Sequence, residues 1–414
     1  METGGIIMKK VVVLGAGYAG LKVVHELQKR AKGQVEITLV DKNNYHYEAT
    51  ALHEVTAGTL PPSKISYPVA DIIKPAVTTF IQDEVTGFDL DDKTVSLKNH
   101  DALSYDYLVI ALGFVSETFG VEGAEEYALP MANLEQAEAI HTHILKMMDE
   151  YKKTQDPNYL KLIVCGAGFT GIELAGALAD GRKEYADRAG VNPSQIKIEV
   201  VEASTRLLPM FSEKLANYGV NVVKGLGVEL VTGARIQKVE PDKITYTMGK
   251  DEEETTGTTT GKTIIWTTGV SGSPIVQADE ALKARRGRSI PTDHLTVEGH
   301  DDAYIIGDVA AVMPPEGGRP YPTTAQIALG MGKYVAEDLA NRIKNGSQLA
   351  KPFVYKSLGT VASVGNTRAF GEAMGHEYRG YVASALKKMI ANESLYRVGG
   401  AGQVLRNGRF DLYH

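Results

Sequence analysis

The 414-residue sequence predicts an α/β fold with an internal duplication, and three observations carry the prediction. Near the N-terminus a short apolar run, a glycine-rich turn and a helical pattern follow one another, and the same order returns from Lys161. A further short apolar strand, Ala303 to Ile306, ends in Gly307-Asp308. Strands that alternate with helical patterns imply parallel sheets.

In chain order, Lys9 to Leu14 reads as a buried strand and Gly15-Ala16-Gly17-Tyr18-Ala19-Gly20 as the turn. A helix follows with Leu21, Val24 and Leu27 on one face, then a second strand, Val35 to Val40. The second copy has its strand at Lys161 to Cys165 and its turn at Gly166-Ala167-Gly168-Phe169-Thr170-Gly171. Ile172 to Leu178 opens its helix, and Ile196 to Val201 is its next strand. Met248 to Lys262, with acidic Asp251 to Glu254 and Thr/Gly repeats, reads as a solvated hairpin loop without chemistry. After Gly307-Asp308, Pro322-Thr323-Thr324 starts a helix, capped by a threonine and running from Ala325 to Asn341.

Composition sets outer limits. The length suggests two or three compact units. A formal charge of −7 argues against a nucleic-acid partner, which needs a clustered basic footprint. The single cysteine, Cys165, forbids an intrachain disulfide and fits a reducing compartment. No apolar run is long enough for a membrane span or a signal-peptide core.

A glycine-rich turn between strand and helix lets backbone N–H groups and the positive helix end meet a pyrophosphate, which side chains there would block. Each copy leads to an acid at the end of the next strand, Asp41 in the first and Glu202 in the second. Such an acid accepts hydrogen bonds from ribose hydroxyls. Asp41 stands 21 positions past Gly20, close to the usual spacing, whereas Glu202 stands 31 past Gly171; a longer helix and the loop Ala189 to Gln195 account for the excess. A carboxylate at Glu202 would repel a 2′-phosphate and favour NADH over NADPH, with Arg206 close enough to weaken the preference. Two dinucleotide sites in one chain point to a flavin and a nicotinamide.

On these residues the chain resembles the two-dinucleotide-binding-domain flavoproteins, with a glutathione-reductase-like pair of Rossmann-like domains. The resemblance runs through Gly15 to Gly20 with Asp41, Ala111-Leu112-Gly113, Thr267-Thr268-Gly269 and Gly307-Asp308. The absence of a cysteine pair, or of a cysteine after the second strand, removes the thiol-dependent members; Asp41 to His46 stands in that place. Cys165 then reads as a small buried residue.

Among thiol-free members the chain looks most like the type II, non-proton-pumping NADH dehydrogenases. The closer match is carried by Asn44 to Tyr47, Ala57-Gly58-Thr59, Ala111 to Gly120, Gly166 to Glu173, Leu208 to Phe211, Arg319 to Gln326 and Gly359 to Ser363. The resemblance implies FAD at Gly15, Gly17, Tyr18, Ala19, Gly20, Asp41, Lys42, His46, Val85, Ala111, Gly113, Gly307, Asp308 and Ala325. It implies NADH at Gly166, Gly168, Phe169, Thr170, Gly171, Glu202, Thr268 and Gly269, and catalytic roles for Glu173, Gln326 and Ala325, with no metal. Glu173 would sit near nicotinamide and flavin, or else merely satisfy a helix dipole from the first turn. Tyr45, His46 and Tyr47 would line the FAD or quinone side, although core packing explains them equally well.

The helix beginning near Ala325 would direct its positive end at the flavin's pyrimidine edge, where one such donor is worth about 3 kcal/mol. The family's Ala-Gln-x-x-x-Gln motif is kept at Ala325-Gln326 and lost at Gly330, which either widens the pocket or marks a changed acceptor. A glycine inside a helix costs roughly 1 kcal/mol relative to alanine. His141 and His143, two apart, do not share a helix face and do not read as a metal pair.

The expected organisation is an FAD domain from 1–121 and 289–343, an NADH domain from 122–288 and a C-terminal segment from 344–414. In that segment Val382, Ala385, Leu386 and Met389 recur at helical spacing. From Tyr381 to Phe410 five basic residues face one acid, a local charge of +4 that an anionic lipid surface would favour. The bland alternative is a helix packed on the domain or on a second subunit. The resemblance thus implies NADH oxidation with two-electron reduction of a menaquinone-like quinone, by a peripheral homodimer on the cytoplasmic side of the cell membrane. Two other readings stand beside it: a soluble NADH:acceptor reductase of the same fold, and an NADH/flavin-dependent redox-responsive binding protein.

Overall fold

A computed structural model describes residues 8–249 and 254–411. Its centre is a pair of sheets with the same internal plan, parallel throughout except for the antiparallel Thr296–Val297 edge of the first. In the first, Lys9–Leu14 pairs in parallel with Val35–Asp41 on one side and Tyr107–Ile110 on the other. Thr78–Gln82 extends one edge, and His300–Ile305 then Thr296–Val297 extend the other. In the second, Lys161–Cys165 lies between Lys197–Glu202 and Thr263–Trp266, with Val228–Thr232 and Leu129–Pro130 at the edges. The first sheet draws its strands from residues 9–110 and 296–305, the second from 129–266. Two short strands, Phe114–Ser116 and Val270–Gly272, pair antiparallel where the chain leaves the first unit and returns to it.

The central strands are apolar without alternation because both faces are covered, one by helices and the other by a small antiparallel sheet. That sheet is Val85–Asp89 with Thr94–Leu97 over the first and Ala234–Glu240 with Lys243–Met248 over the second. Val11, Val13 and Leu14 are fully buried, as are Leu162 to Cys165. The helix after the first turn, Tyr18–Arg30, packs Leu21, Val24 and Leu27 into the core. Its counterpart, Phe169–Ala189, is eight residues longer. With the one-turn helix at Pro193–Gln195, that length accounts for the wide Gly171-to-Glu202 spacing.

The long helix Ala325–Asn345 starts where the sequence places it, with Thr324 accepting from the Ile327 amide. It ends four residues later than expected, at a left-handed Gly346, with Arg342 and Lys344 in the last turn. A second revision concerns the expected loop from Met248 to Lys262. Thr255–Thr260 is instead a strand paired with Lys243–Met248, as β-branched threonines favour. The acidic residues Asp251 to Glu253 lie outside the described residues.

The C-terminal segment is a three-stranded antiparallel sheet (Gly359–Ser363, Ala369–Ala373, His376–Arg379) followed by helices Gly380–Gly399 and Ala401–Asn407. Among the described residues, no helix is long and apolar enough to cross a membrane.

Candidate functional site: two glycine turns and a C-terminal clamp

The two turns match atom by atom. Gly15 and Gly166 have φ of +104° and +100°, and each amide donates 2.8 Å to the next strand, at Val40 and Val201 respectively. A Cβ on Gly20 would lie 1.9 Å from the Gly15 carbonyl oxygen, and one on Gly171 equally close to that of Gly166. These four glycines are required by the chain itself.

Gly17 and Gly168 differ. Their φ values, −76° and −64°, suit any residue, and a Cβ on either would meet nothing within 4 Å. Both begin helices that lack any side-chain cap. The fold therefore leaves two helix N-termini bare and the space before them clear, as bound pyrophosphates require.

Each turn is closed by the acid the sequence singled out. Asp41 accepts from the Ala16 amide at 2.6 Å and the Asn43 amide at 2.8 Å. Glu202 accepts from the Ala167 and Ser204 amides, both at 2.7 Å. Burial raises the Asp41 carboxyl above its ordinary range, and the two amides pull it only partly back.

The remaining candidates gather around these turns. Ala111 closes on the first, its carbonyl oxygen 2.2 Å from where a Gly15 Cβ would stand. Gly113 follows with φ +70° and open space. Gly307, at φ +73°, lies against Ala19, and Asp308 beside it is pushed by burial up to about 6 despite Arg288. Ala19 also meets the Ala325–Asn345 helix, since a Gly332 Cβ would come within 2.5 Å of its carbonyl. His46 is buried and donates from Nδ1 to the Ala16 carbonyl. Lys42 is exposed, and the Val85 side chain is spent in the core with Leu14 and Val40. At the second turn, Thr268 backs onto Gly166 and Gly269 onto the Phe119 ring, while Thr170 is exposed.

Glu173 is the fifth residue of its helix, so a first-turn dipole role is ruled out by position. It is buried, and its Oε1 accepts from the Ser363 amide, the Ser363 hydroxyl and Lys387 Nζ, each at 2.9 Å. His53 Nδ1 lies 3.8 Å from Oε2, and His53 Nε2 is 3.1 Å from the Ser363 hydroxyl. Burial pushes the Glu173 carboxyl up, but Lys387, His53 and the hydrogen bonds outweigh it and hold it below the ordinary range. Lys387 also lies 5.2 Å over the Phe169 ring of the second turn.

Gln326 occupies the other end of the same strand. Its Oε1 accepts from Tyr355 OH at 2.7 Å and the Leu358 amide at 2.9 Å. Glu173 thus grips Gly359–Ser363 at its end and Gln326 grips the residue before its start, with attachment points about 16 Å apart along the strand. At Gly330 a Cβ would make ordinary contact with the Phe353 ring at 3.8 Å, so the fold does not demand a glycine there.

The C-terminal segment corrects the expectation of a basic lipid-facing surface. All five basic residues are in ion pairs: Lys387 with Glu173, Lys388 with Asp411, Arg397 with Glu393, Arg406 with Asp71, and Arg409 with Glu54. Four of the five acids lie outside the stretch from Tyr381 to Phe410, so the local charge excess is cancelled in space. Beside the exposed pairing residues Glu393 and Arg406, the segment exposes the apolar side chains of Val382, Met389, Ile390, Tyr396, Leu405 and Phe410.

Sequence reasoning missed His53 and Tyr355, met Ser363 only as the end of the matching Gly359 to Ser363 segment with no role, and gave Lys387 the wrong partner. Only its place beside an outward apolar face marked Lys387, and nothing local pointed to an acid 214 positions away.

Residues 9–332 match the family model for pyridine nucleotide-disulphide oxidoreductases. Over 406 residues the chain is 41% identical to the type II NADH:quinone oxidoreductase of Staphylococcus haemolyticus, covering 97% of this chain and 99% of that one. The chain belongs to the type II NADH:quinone oxidoreductase family. The Staphylococcus aureus relative is 40% identical over 407 residues, with the same coverage. In fold, the chain resembles the NDH2 of Plasmodium falciparum solved with NADH, at TM-score 0.86, 18% identity and 97% coverage of both chains. It also resembles the sulfide:quinone oxidoreductase of Aquifex aeolicus, at TM-score 0.74 and 22% identity, covering 94% of this chain and 91% of that one. Membership supports the use of a flavin and of NADH.

Proposed function

We propose that this family member oxidises NADH and delivers two electrons to a menaquinone-like quinone without pumping protons, with FAD held at the first turn and NADH at the second. The observation that carries the reading is the pair Gly17 and Gly168, two glycines that the chain does not need and that a pyrophosphate does. The first turn suits the FAD because Gly307, Asp308 and the Ala325–Asn345 helix converge on it. This assigns 1–121 with 289–343 to FAD, 122–288 to NADH and 344–414 to the acceptor side. Bound flavin supplies a centre that takes a hydride from NADH and passes on its two electrons, with one further proton drawn from solvent for the quinol.

The chain's own residues position and hold charge. The uncapped helix ends at Tyr18 and Phe169 bind pyrophosphate, while Asp41 and Glu202 orient ribose hydroxyls. Among the described residues, Gln326 Nε2 has no protein partner, because both hydrogen bonds fall on Oε1, and so it can donate to a quinone carbonyl. Glu173 is kept ionised beside Lys387, with His53 Nδ1 3.8 Å from its Oε2, and so holds negative charge next to the second turn. The exposed apolar side chains from Val382 to Phe410 support peripheral attachment to the cytoplasmic membrane face by apolar contact, and the same reading includes a homodimer.

The test is NADH oxidation by the purified yellow protein with a short-chain menaquinone analogue, beside a no-quinone control and ferricyanide. Quinone-dependent turnover well above the control is expected. Turnover with ferricyanide alone would overturn the quinone assignment and favour a soluble acceptor, for which Gly330 and Phe353 would be the site of change. Slow turnover with every acceptor, with a long-lived NADH complex, would favour a redox-responsive binding protein.

A further inference from the structure

One buried acid takes no part in the scheme above. Glu48 is 6% exposed and lies where three parts of the molecule meet. Its Oε2 accepts from Tyr18 OH at 2.9 Å, at the start of the helix that follows the first turn. Its Oε1 accepts from Tyr67 OH at 3.0 Å, on the short strand Ser66–Pro68. Ser394, in the C-terminal half of the Gly380–Gly399 helix, donates to Oε2 at 3.3 Å. One carboxyl therefore joins the first turn to a C-terminal helix 346 positions away.

A fourth group faces it. His46 Nδ1 is committed to the Ala16 carbonyl, so its Nε2 is a bare lone pair, buried and without a partner, 3.8 Å from Glu48 Oε1. Burial pushes His46 down to about 4, so the ring is neutral near pH 7. Among the described residues Glu48 has no Lys or Arg partner. The nearby charges on the two helices are paired with each other: Lys22 with Glu26, and Arg397 with Glu393. Lys22 also donates to the Arg397 carbonyl. His25 on the same face is pushed down to about 4 by burial and by Lys29. Three hydroxyls and one imidazole lone pair make a pocket that suits a carboxylic acid as well as a carboxylate.

We propose that Glu48 is a positioning residue for the quinone half of the reaction: it clamps the C-terminal helix onto the first turn while it carries a proton, and loosens that clamp when the proton leaves for solvent. The inference rests on the reading that places the acceptor side in the C-terminal segment. Burial, the largest influence, raises the Glu48 carboxyl, and the hydrogen bonds from Tyr18, Tyr67 and Ser394 bring it back only to about 7. Since a buried carboxylate without a cation is costly, ionisation favours a state in which Ser394 gives way and water reaches the acid.

The experiment follows flavin bleaching by NADH and the KM for the menaquinone analogue from pH 6 to 8, in wild type, Glu48→Gln and Ser394→Ala. Wild type should show KM rising about 5-fold across this range, as one titrating group allows, with bleaching changed less than about 2-fold. Glu48→Gln, a neutral isostere, should hold KM flat. Ser394→Ala should raise KM about 3-fold already at pH 6, with bleaching unchanged. Hydrogen exchange of the Gly380–Gly399 helix, corrected for intrinsic rates, should lose protection above pH 7 in wild type and not in Glu48→Gln. An unchanged pH step in Glu48→Gln, or helix protection independent of pH in wild type, would overturn the proposal. Absence of quinone turnover in wild type would instead overturn the functional reading, and hydrogen exchange would still decide the role of Glu48.

Discussion

The two glycine turns are the same object in different settings. Their backbones, interstrand hydrogen bonds and closing carboxylates correspond pairwise, from Gly15 and Gly166 to Asp41 and Glu202. Their surroundings do not correspond. The first turn is walled by the Ala325–Asn345 helix and tied through Tyr18 and Glu48 to the C-terminal helix. The second reaches the same helix through Phe169, Glu173 and Lys387. Local sequence builds the turn, and distant residues build the walls around it.

The largest expected effect lies at the second turn's tie. Lys387→Met leaves the buried Glu173 carboxylate without its cation and should cost about 3–5 kcal/mol in chemical denaturation. The double variant Glu173→Leu with Lys387→Met should recover most of that loss, because the pair contributes little beyond an apolar replacement. Failure to recover would show that Ser363 and His53 depend on the charge.

Next come the glycines whose absent Cβ faces backbone. Gly20→Ala and Gly171→Ala each force a methyl against a carbonyl, where overpacking costs about 1–3 kcal/mol or more. Equal falls in melting temperature would confirm that the turns are structurally equivalent. Unequal falls would show that the walls around the first turn share the strain.

Acid separates the two settings by sign. Glu173 is held below its ordinary range, so its contribution is present at neutral pH and lost as pH falls through the lowered value. Stability curves of wild type and Glu173→Gln should therefore converge in acid. Asp308 is raised to about 6, so in the flavin-free protein it weakens the fold as pH rises from about 4 to 6. Asp308→Asn should remove that decline. The smallest effect is expected at Glu202→Gln, whose amide oxygen can still accept from a turn amide; it should narrow the preference for NADH over NADPH with little loss of stability.

The turns were legible because each is written in six adjacent residues and repeated, and strand, turn and helix each have their own period. The start of the Ala325–Asn345 helix was legible for the same reason, through Thr324. The clamp was not. Glu173 meets Ser363 and Lys387, and Glu48 meets Ser394, across separations that no local pattern encodes. The basic C-terminal surface was misread because charge was counted along the chain, whereas Glu54, Asp71 and Glu173 come to it through space.

The central claim is that two equivalent turns hold different dinucleotides, and Gly17→Ala beside Gly168→Ala tests it most directly. Neither methyl meets protein, so both variants should fold. Flavin content and bleaching by NADH should then separate them: Gly17→Ala should lose its yellow colour, while Gly168→Ala should keep it and resist bleaching. Retention of flavin by Gly17→Ala, together with its loss from Gly168→Ala, would contradict the assignment.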